Sequence, residues 1–169
     1  MAQSHHSASL LDIIAVQAPV NARIAIVHTE WNDRIVEEQL KGCERVLQNF
    51  QAVTIDKLAV PGSFEIPFAC KRLWNHYELL SPDLQPEAII AFGAVIRGGT
   101  PHFEYVCKAV TEGLTQLNLT LPIPVIFGVL TLDNEQQAWE RLGGEHGHKG
   151  EEAALTALKM IAVCRNKGC

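Results

Sequence analysis

The chain has 169 residues, of which 47% are hydrophobic and 20% charged, and this composition predicts one globular domain rather than two. Its apolar runs are much shorter than the roughly 18 residues that a membrane-spanning helix needs, so we expect no membrane insertion. The net charge of -5 without a basic block argues against nucleic acid as a partner, and five scattered cysteines without a CxxC pair predict reduced thiols in the cytoplasm.

Residues 1–22 are predicted to form an N-terminal arm with one short strand, and residues 23–169 a single domain. The opening segment MAQSHHSAS has no basic region followed by an apolar core, so it does not match a secretory signal. The segment from Leu10 to Val16 has strand character, and a strand is stabilised by pairing with a sheet edge. That edge could belong to the same chain or to another subunit.

Apolar segments alternate with helical patterns along the rest of the chain. This alternation predicts a parallel sheet with right-handed crossovers and helices on both faces. We therefore expect a three-layer α/β/α, flavodoxin-like fold with a central, mostly parallel four-stranded sheet. The four strands are predicted at Ile24 to Val27, Val53 to Val60, Ala88 to Ile96 and Val125 to Leu130.

Aromatic and acidic side chains follow the first two predicted strands. Trp31 comes after the first strand, where open α/β sheets bind ligands, and its ring would suit stacking on a planar heterocycle. Interior packing is the alternative role for Trp31. Asn32 or Asp33 can cap the next helix. Glu65, after the second strand, either stabilises the first turn of a helix or accepts hydrogen bonds from ligand hydroxyls.

The segment from Ala88 to Tyr105, AIIAFGAVIRGGTPHFEY, has the pattern of strand, glycine turn and helix. Its apolar part ends at the run from Arg97 to Thr100, and Pro101 suits the first helical position. Adjacent glycines let backbone N–H groups approach an anion, and a helix N-terminus favours negative charge. Because Thr100 adds a hydroxyl donor and His102 a titratable group, this turn is a candidate phosphate site. The alternative is that the glycines only close a tight turn.

The last third of the chain contains a helix cap and a glycine-rich break. Asp133 and Gln136 have the spacing of a capping box. The run from Gly143 to Gly150 ends that helix, and another helix follows. His146 and His148 are two residues apart but have no third ligand at a suitable spacing, so we expect no metal site.

Several of these segments together resemble the lumazine synthase family, in its order and spacing, from about Arg23 to the C-terminus. The matching segments are TEWNDRI, VPGSFEIP, GAVIRGGTPHFEYV, PVIFGVLT, QAWER and HKGEEAA. The resemblance implies a transferase that condenses 5-amino-6-(D-ribitylamino)uracil with 3,4-dihydroxy-2-butanone 4-phosphate. The products are 6,7-dimethyl-8-ribityllumazine, phosphate and water, in the penultimate step of riboflavin biosynthesis. No metal or organic cofactor is implied.

The resemblance also implies which residues form the site. His102 would transfer protons, and Gly99, Thr100 and Arg141 would bind phosphate. Three residues of the set, Phe127, Arg141 and Lys149, match family positions that reach the site from a neighbouring subunit. The uracil and its ribityl chain would be bound by Trp31, Asn32, Ser63, Phe64, Glu65, Val95, Ile96, Phe127 and Lys149.

Two other functions fit the same fold class. A flavodoxin-like flavin-binding module is one, although the loop from His28 to Arg34 lacks the usual run of glycine, serine and threonine. A non-catalytic cage is the other. The family resemblance implies self-association into pentamers or a sixty-subunit shell, and it makes riboflavin synthase a candidate partner. The segment between Arg141 and Lys149 is short and lacks the insertion found in several pentameric members of the family, so it is compatible with the sixty-subunit shell.

Overall fold

The computed structural model describes residue 19 and residues 21–168. The predicted strand from Leu10 to Val16 lies outside the described residues. Two short 3-10 helices, Ser63–Glu65 and Pro82–Leu84, precede the second main helix and the third strand. In chain order, the other elements are β1 (Arg23–Thr29), α1 (Asp33–Asn49), β2 (Val53–Val60), α2 (Ile66–Tyr77), β3 (Ala88–Ile96), α3 (His102–Thr120), β4 (Val125–Leu132), α4 (Glu135–Glu140), β5 (Leu142–Gly144), β6 (Gly147–His148) and α5 (Lys149–Lys167).

Strands β1 to β4 form one parallel sheet in the order β2-β1-β3-β4. In the register, Ile26 of β1 lies between Lys57 of β2 and Ile90 of β3, and Ile90 is followed by Ile126 of β4. With helices on both faces of this sheet, the predicted three-layer α/β/α fold is confirmed. Strands β5 and β6 form a separate antiparallel hairpin between α4 and α5.

The side chains of the central strands alternate between two hydrophobic cores. Ile24 and Ile26 of β1 pack with α1 and α5, whereas Ala25 and Val27 pack with α2 and α3. All four are fully buried, which explains why these strands are continuous apolar runs in the sequence. Because the strands are parallel, their carboxyl ends share one rim of the sheet.

Helices α1 and α5 approach each other closely at two glycines. A Cβ atom at Gly150 would lie 2.0 Å from the carbonyl oxygen of Gln39, and one at Gly42 would lie 2.1 Å from the His148 ring. Neither position has room for a side chain unless the helices separate. His148 also caps α5, because its Nδ1 accepts a hydrogen bond from the N–H of Gly150 at 3.2 Å. The start of α5 is therefore fixed against α1.

Two helix starts differ by one residue from their predicted positions. Helix α3 begins after Pro101, which is therefore the N-cap rather than the first helical residue. Helix α4 is capped by Asn134, whose side chain accepts a hydrogen bond from the N–H of Gln137 at 3.1 Å, and not by the predicted Asp133. The Asp133 carboxylate instead accepts a hydrogen bond from Arg97 Nε at 2.9 Å, and the Asp133 N–H donates to the Gln137 side chain at 2.8 Å.

Two expectations from composition can be compared with the structure. Among the described helices, none is long and apolar enough to cross a membrane.

Cys43, Cys70 and Cys107 are free thiols, and burial raises the pKa of Cys43 and of Cys70 to about 12. These two thiols are protonated near neutral pH and are expected to be unreactive.

Candidate functional site

The loops after β1 and β2 are joined to each other at the carboxyl rim of the sheet. The N–H of Glu30 donates to the Val60 carbonyl at 2.8 Å, and the N–H of Trp31 donates to the Pro61 carbonyl at 3.1 Å. The Trp31 indole lies against Gly62, where a Cβ atom would come within 2.6 Å of the ring. The same side chain is 64% exposed, so part of the ring is open to a planar ligand.

Glu65 lies at the end of the 3-10 helix that follows β2 and is close to the same glycine. Its Oε2 accepts a hydrogen bond from the N–H of Gly62 at 3.1 Å. Because Gly62 also contacts Trp31, the carboxylate and the indole belong to the same part of the rim. A carboxylate can accept about four hydrogen bonds, so capacity remains for ligand hydroxyls. Phe64, the residue before it, has an exposed side chain.

Asn32 and Ser63 connect these two loops to the central strand β3. Asn32 has a left-handed backbone conformation, with φ of 59°, and its Nδ2 donates to the Ala94 carbonyl at 2.8 Å. Ser63 is buried against Gly93 of β3: a Cβ atom added at Gly93 would lie only 2.7 Å from the Ser63 Oγ. Both side chains therefore anchor the rim loops to β3.

The turn between β3 and α3 is open to solvent. Val95 and Ile96 are half-buried at the end of β3, whereas Thr100 and His102 are exposed. If Gly99 carried a Cβ atom, that atom would have no heavy atom of the described residues within 4 Å, apart from those of its chain neighbours. This open turn lies at the N-terminus of α3, where an anion is stabilised by backbone N–H groups.

Arg97, at the start of this turn, is engaged by side chains on both sides. Its Nε donates to Asp133 Oδ1 at 2.9 Å, and its Nη1 pairs with Glu104. The guanidinium also lies over the Phe103 ring, 4.2 Å from the ring centroid. Hydrogen bonds from Arg97 hold the pKa of Asp133 and of Glu104 below the usual range of these groups. Arg97 thus links two rim turns, a role that the sequence did not predict.

A second group of predicted residues, Phe127, Arg141 and Lys149, lies on the far side of β3 from Trp31; we call it the outer group. Phe127 pairs with Ala91 in the middle of β4, the edge strand, and is 36% exposed. Arg141 and Lys149 line an open cleft of about 400 Å³ beside the later residues of β4. One chain therefore brings Trp31, Asn32, Ser63 and Glu65 together, whereas the outer group lies on or beside the edge strand β4.

The two cations of the outer group share an acidic neighbour, Glu152. Nη2 of Arg141 donates to Glu152 Oε2 at 3.1 Å, and Lys149 Nζ lies 3.9 Å from the same oxygen. Burial lowers the pKa of Lys149, and the Glu152 charge partly opposes this effect. Glu152 was not among the residues predicted from the sequence. The available signal was its position three residues after Lys149, which places both side chains on one face of a helix.

The two histidines considered as metal ligands do not converge. His148 is buried as a helix cap, whereas His146 is exposed and lies 3.3 Å from a carboxylate oxygen of Glu145. Ligand atoms of Glu140, Glu145 and His146 lie within 4.8 Å of one another. Exposed acidic groups often cluster in this way without an ion, so we assign no metal to them.

Comparisons with known proteins show which family the chain belongs to. The model of the 6,7-dimethyl-8-ribityllumazine synthase family matches residues 21–165. The chain belongs to this family. It is 44% identical over 168 residues to the synthase of that name from Porphyromonas gingivalis, covering 98% of this chain and 99% of the relative. It is also 44% identical over 163 residues to the one from Parabacteroides distasonis, covering 95% and 98% of the two chains.

The lumazine synthase resemblance predicted from the sequence is thus confirmed. A more distant relative of the same name, from Kineococcus radiotolerans, is 42% identical over 145 residues and covers 85% of each chain. The family match spans the rim loops, the open turn and the outer group alike. It does not favour the flavin-binding module or the non-catalytic cage.

Proposed function

We propose that this chain catalyses the reaction of its family, the condensation of 5-amino-6-(D-ribitylamino)uracil with 3,4-dihydroxy-2-butanone 4-phosphate. The products are 6,7-dimethyl-8-ribityllumazine, phosphate and water. The family match supports this reaction. The structural observation that supports it most directly is the exposed Trp31 ring beside Glu65 on one rim, next to an open glycine turn.

In this proposal the rim residues bind the uracil substrate. Trp31 stacks on the pyrimidine ring, and the Glu65 carboxylate accepts hydrogen bonds from ribityl hydroxyls. Asn32 and Ser63 anchor the rim loops to β3 and so help to position the pyrimidine ring. Phe64, which is exposed on the second of these loops, contributes to the same positioning. Val95 and Ile96 complete the apolar wall.

The phosphate of the second substrate binds at the turn after β3 in this proposal. Gly99 and Thr100 offer a backbone N–H group and a hydroxyl at the start of α3. Arg141 suits the same anion because its planar guanidinium can donate two parallel hydrogen bonds. His102, exposed beside the turn, transfers protons as the amine adds to the ketone, water leaves and phosphate is eliminated. Both substrates are reactive, so much of the rate enhancement comes from holding them in register.

A complete site in this proposal requires two subunits. In the sheet order β2-β1-β3-β4, Trp31 follows β1 and Glu65 follows β2, whereas Arg141 and Lys149 share a cleft with residues of the edge strand β4. We therefore propose that a neighbouring subunit supplies Phe127, Arg141 and Lys149. Such pairing repeats around a ring, as in a pentamer, and is compatible with a sixty-subunit shell.

The proposal also covers the N-terminal strand, a protein partner and the cellular compartment. The N-terminal strand would pair with a sheet edge of a neighbouring subunit, for which the unpaired outer edge of β2 within the described sheet is a suitable partner. Riboflavin synthase, which consumes the product, is the candidate protein partner. The reaction would take place in the cytoplasm.

The proposed reaction is tested by incubating the purified protein with both substrates. We expect the lumazine product and inorganic phosphate to appear in equal amounts, at an unchanged rate after treatment with EDTA. Omitting either substrate should abolish product formation. A purified protein that holds stoichiometric flavin and forms no product would overturn the proposal in favour of a flavin-binding module.

A further inference from the structure

Glu152, in the first turn of α5, contacts both cations of the outer group. We infer that Glu152 is a positioning residue for the condensation: it holds the Arg141 and Lys149 side chains next to each other, facing the cleft beside β4. This inference rests on the proposed function of Arg141 as a phosphate ligand. It extends that function by naming the side chain that sets the direction of the guanidinium.

The contacts of Arg141 fix its guanidinium on two sides. Its Nη1 donates to the carbonyl of His146 at 2.7 Å, and its Nη2 donates to Glu152 Oε2 at 3.1 Å. A guanidinium has several further N–H donors, so these two bonds leave part of the fork able to bind an anion. Two of the five N–H donors of Arg141 are thus used by these contacts, and three remain for a ligand.

Lys149 is held by its backbone as well as by its charge. Its N–H donates to the Arg141 carbonyl at 2.8 Å, and its Nζ lies 3.9 Å from the Glu152 oxygen that also binds Arg141. Two cations this close repel each other unless an anion lies between them. The Glu152 carboxylate reduces this repulsion, and it is only 30% exposed, so water screens it less than a surface group.

The β5–β6 hairpin leaves space for this carboxylate. Gly147 has a left-handed backbone, with φ of 80°, and a Cβ atom there would lie 3.2 Å from Glu152 Oε1. The glycine therefore lets the hairpin carrying His146 pass close to α5. The Glu152 side chain therefore extends from α5 toward the hairpin, where it contacts Arg141.

The decisive experiment compares Glu152→Gln with the matched control Glu151→Gln in the native assembly. Glu151 is the preceding residue in the same helical turn, but it pairs with Arg45 at 3.1 Å instead of with the outer group. For Glu152→Gln we expect the KM for the butanone phosphate to rise about tenfold, because Arg141 loses its charged partner. The KM for the uracil substrate, to which Lys149 is assigned, should rise by a smaller factor, and kcat at saturation should change less than about twofold. Glu151→Gln should leave all three unchanged.

A second readout does not depend on activity. Removing the negative charge while Arg141 remains should lower the pKa of Lys149 further, so that acetic anhydride labels Lys149 at lower pH, as measured by mass spectrometry. Glu152→Asp, which keeps the charge, should retain most of the Lys149 pKa and of the substrate affinity. If Glu152→Gln does not assemble, Glu152→Asp should still raise the KM for the butanone phosphate by a smaller factor.

The outcomes separate this inference from the proposed function. If Arg141→Ala leaves the KM for the butanone phosphate unchanged, the proposed role of Arg141 is wrong, whatever Glu152→Gln does. If Arg141→Ala raises that KM but the Glu152 variants do not, only the positioning inference is overturned. An equal rise in both KM values, or an unshifted Lys149 titration, would likewise overturn it, because Glu152 would then be a general structural residue.

Discussion

At the scale of single residues, Trp31 offers the clearest test of ligand contact. Its ring packs against Gly62 on one side and is largely exposed on the other. We expect riboflavin, which has a planar ring system, to stack on Trp31, and we expect Trp31→Phe to weaken this binding about fivefold, or about 1 kcal/mol, because phenyl has a smaller stacking face than indole. Titration of flavin fluorescence measures this change. Trp74→Phe, which alters a buried tryptophan on α2, is the control and should leave the affinity unchanged.

Removing the Arg141 side chain and removing the His102 side chain should change different kinetic constants. Arg141→Ala should raise the KM for the butanone phosphate far more than the KM for the uracil, because it removes a phosphate ligand. His102→Ala should lower kcat by roughly ten- to thousandfold, a limited loss because positioning of the substrates survives. Steady-state kinetics with each substrate varied in turn separates the two effects. An equal loss toward both substrates in Arg141→Ala would contradict its assignment.

The shared rim position of some residues could be predicted from the sequence, whereas other contacts could not. The sequence indicated Trp31 and Glu65 because each follows a strand, and the carboxyl ends of parallel strands share one rim. The pairing of Arg97 with Asp133 was not predictable, because the two residues are 36 positions apart and only the folded sheet brings their turns together. Glu152 was missed for a related reason. Its distance to Arg141 depends on the β5–β6 hairpin, whose path no sequence period encodes.

At the scale of secondary-structure elements, the start of α5 depends on His148. His148→Ala removes the acceptor for the Gly150 N–H and leaves a space above Gly42. We expect a loss of about 1–3 kcal/mol in the free energy of unfolding. Chemical denaturation at fixed protein concentration measures it. His146→Ala, an exposed residue two positions earlier, is the control and should change stability by less than about 0.5 kcal/mol. Equal effects of the two changes would show that the cap is unimportant.

Glu87 connects the start of β3 to β1 and to the end of α5. It accepts hydrogen bonds from the N–H of Arg23 at 3.0 Å and from Arg165 Nε at 2.7 Å. Burial would raise the pKa of Glu87, but the hydrogen bonds from Arg165 and Arg23 outweigh it and hold the pKa below its usual range. Its stabilising effect is therefore complete above the unfolded pKa of about 4.3 and is lost as the pH falls through the lower folded pKa.

The test of this pH dependence compares the wild-type protein with Glu87→Gln. The difference in unfolding free energy between the two should be largest near pH 7 and should shrink as the pH falls below about 4. Urea denaturation at several pH values measures the difference. A constant difference across this range would mean that the Glu87 charge does not contribute to stability.

The predicted limits of some strands and helices agree with the structure, and those of others differ from it by one or two residues. The limits of β2 and β3 agree with the prediction, because each strand lies between clear breaks. Strand β4 continues to Leu132, two residues beyond the predicted end, because Thr131 and Leu132 still pair with Val95 and Ile96. The start of α4 was placed one residue early. Asp133 and Asn134 have equivalent capping spacings, so the sequence does not distinguish them; in the fold Asn134 caps the helix and Asp133 binds Arg97.

At the scale of the whole molecule, the α/β/α architecture was predictable because alternating strands and helices allow few arrangements. The sheet order and the strands beside which the two groups of site residues lie required the structure. Their positions on different strands support the shared-site proposal. Trp31 and His102 follow β1 and β3, whereas Arg141 lines a cleft with residues of β4.

The most direct test of the shared site mixes two impaired variants. His102→Ala subunits retain Arg141, and Arg141→Ala subunits retain His102, so a mixed assembly contains some sites in which one neighbour supplies each intact residue. After dissociation and reassembly, with subunit exchange verified by native mass spectrometry, we expect the mixture to be more active than either parent. A mixture that exchanges subunits but never exceeds the activity of its parents would contradict the shared site.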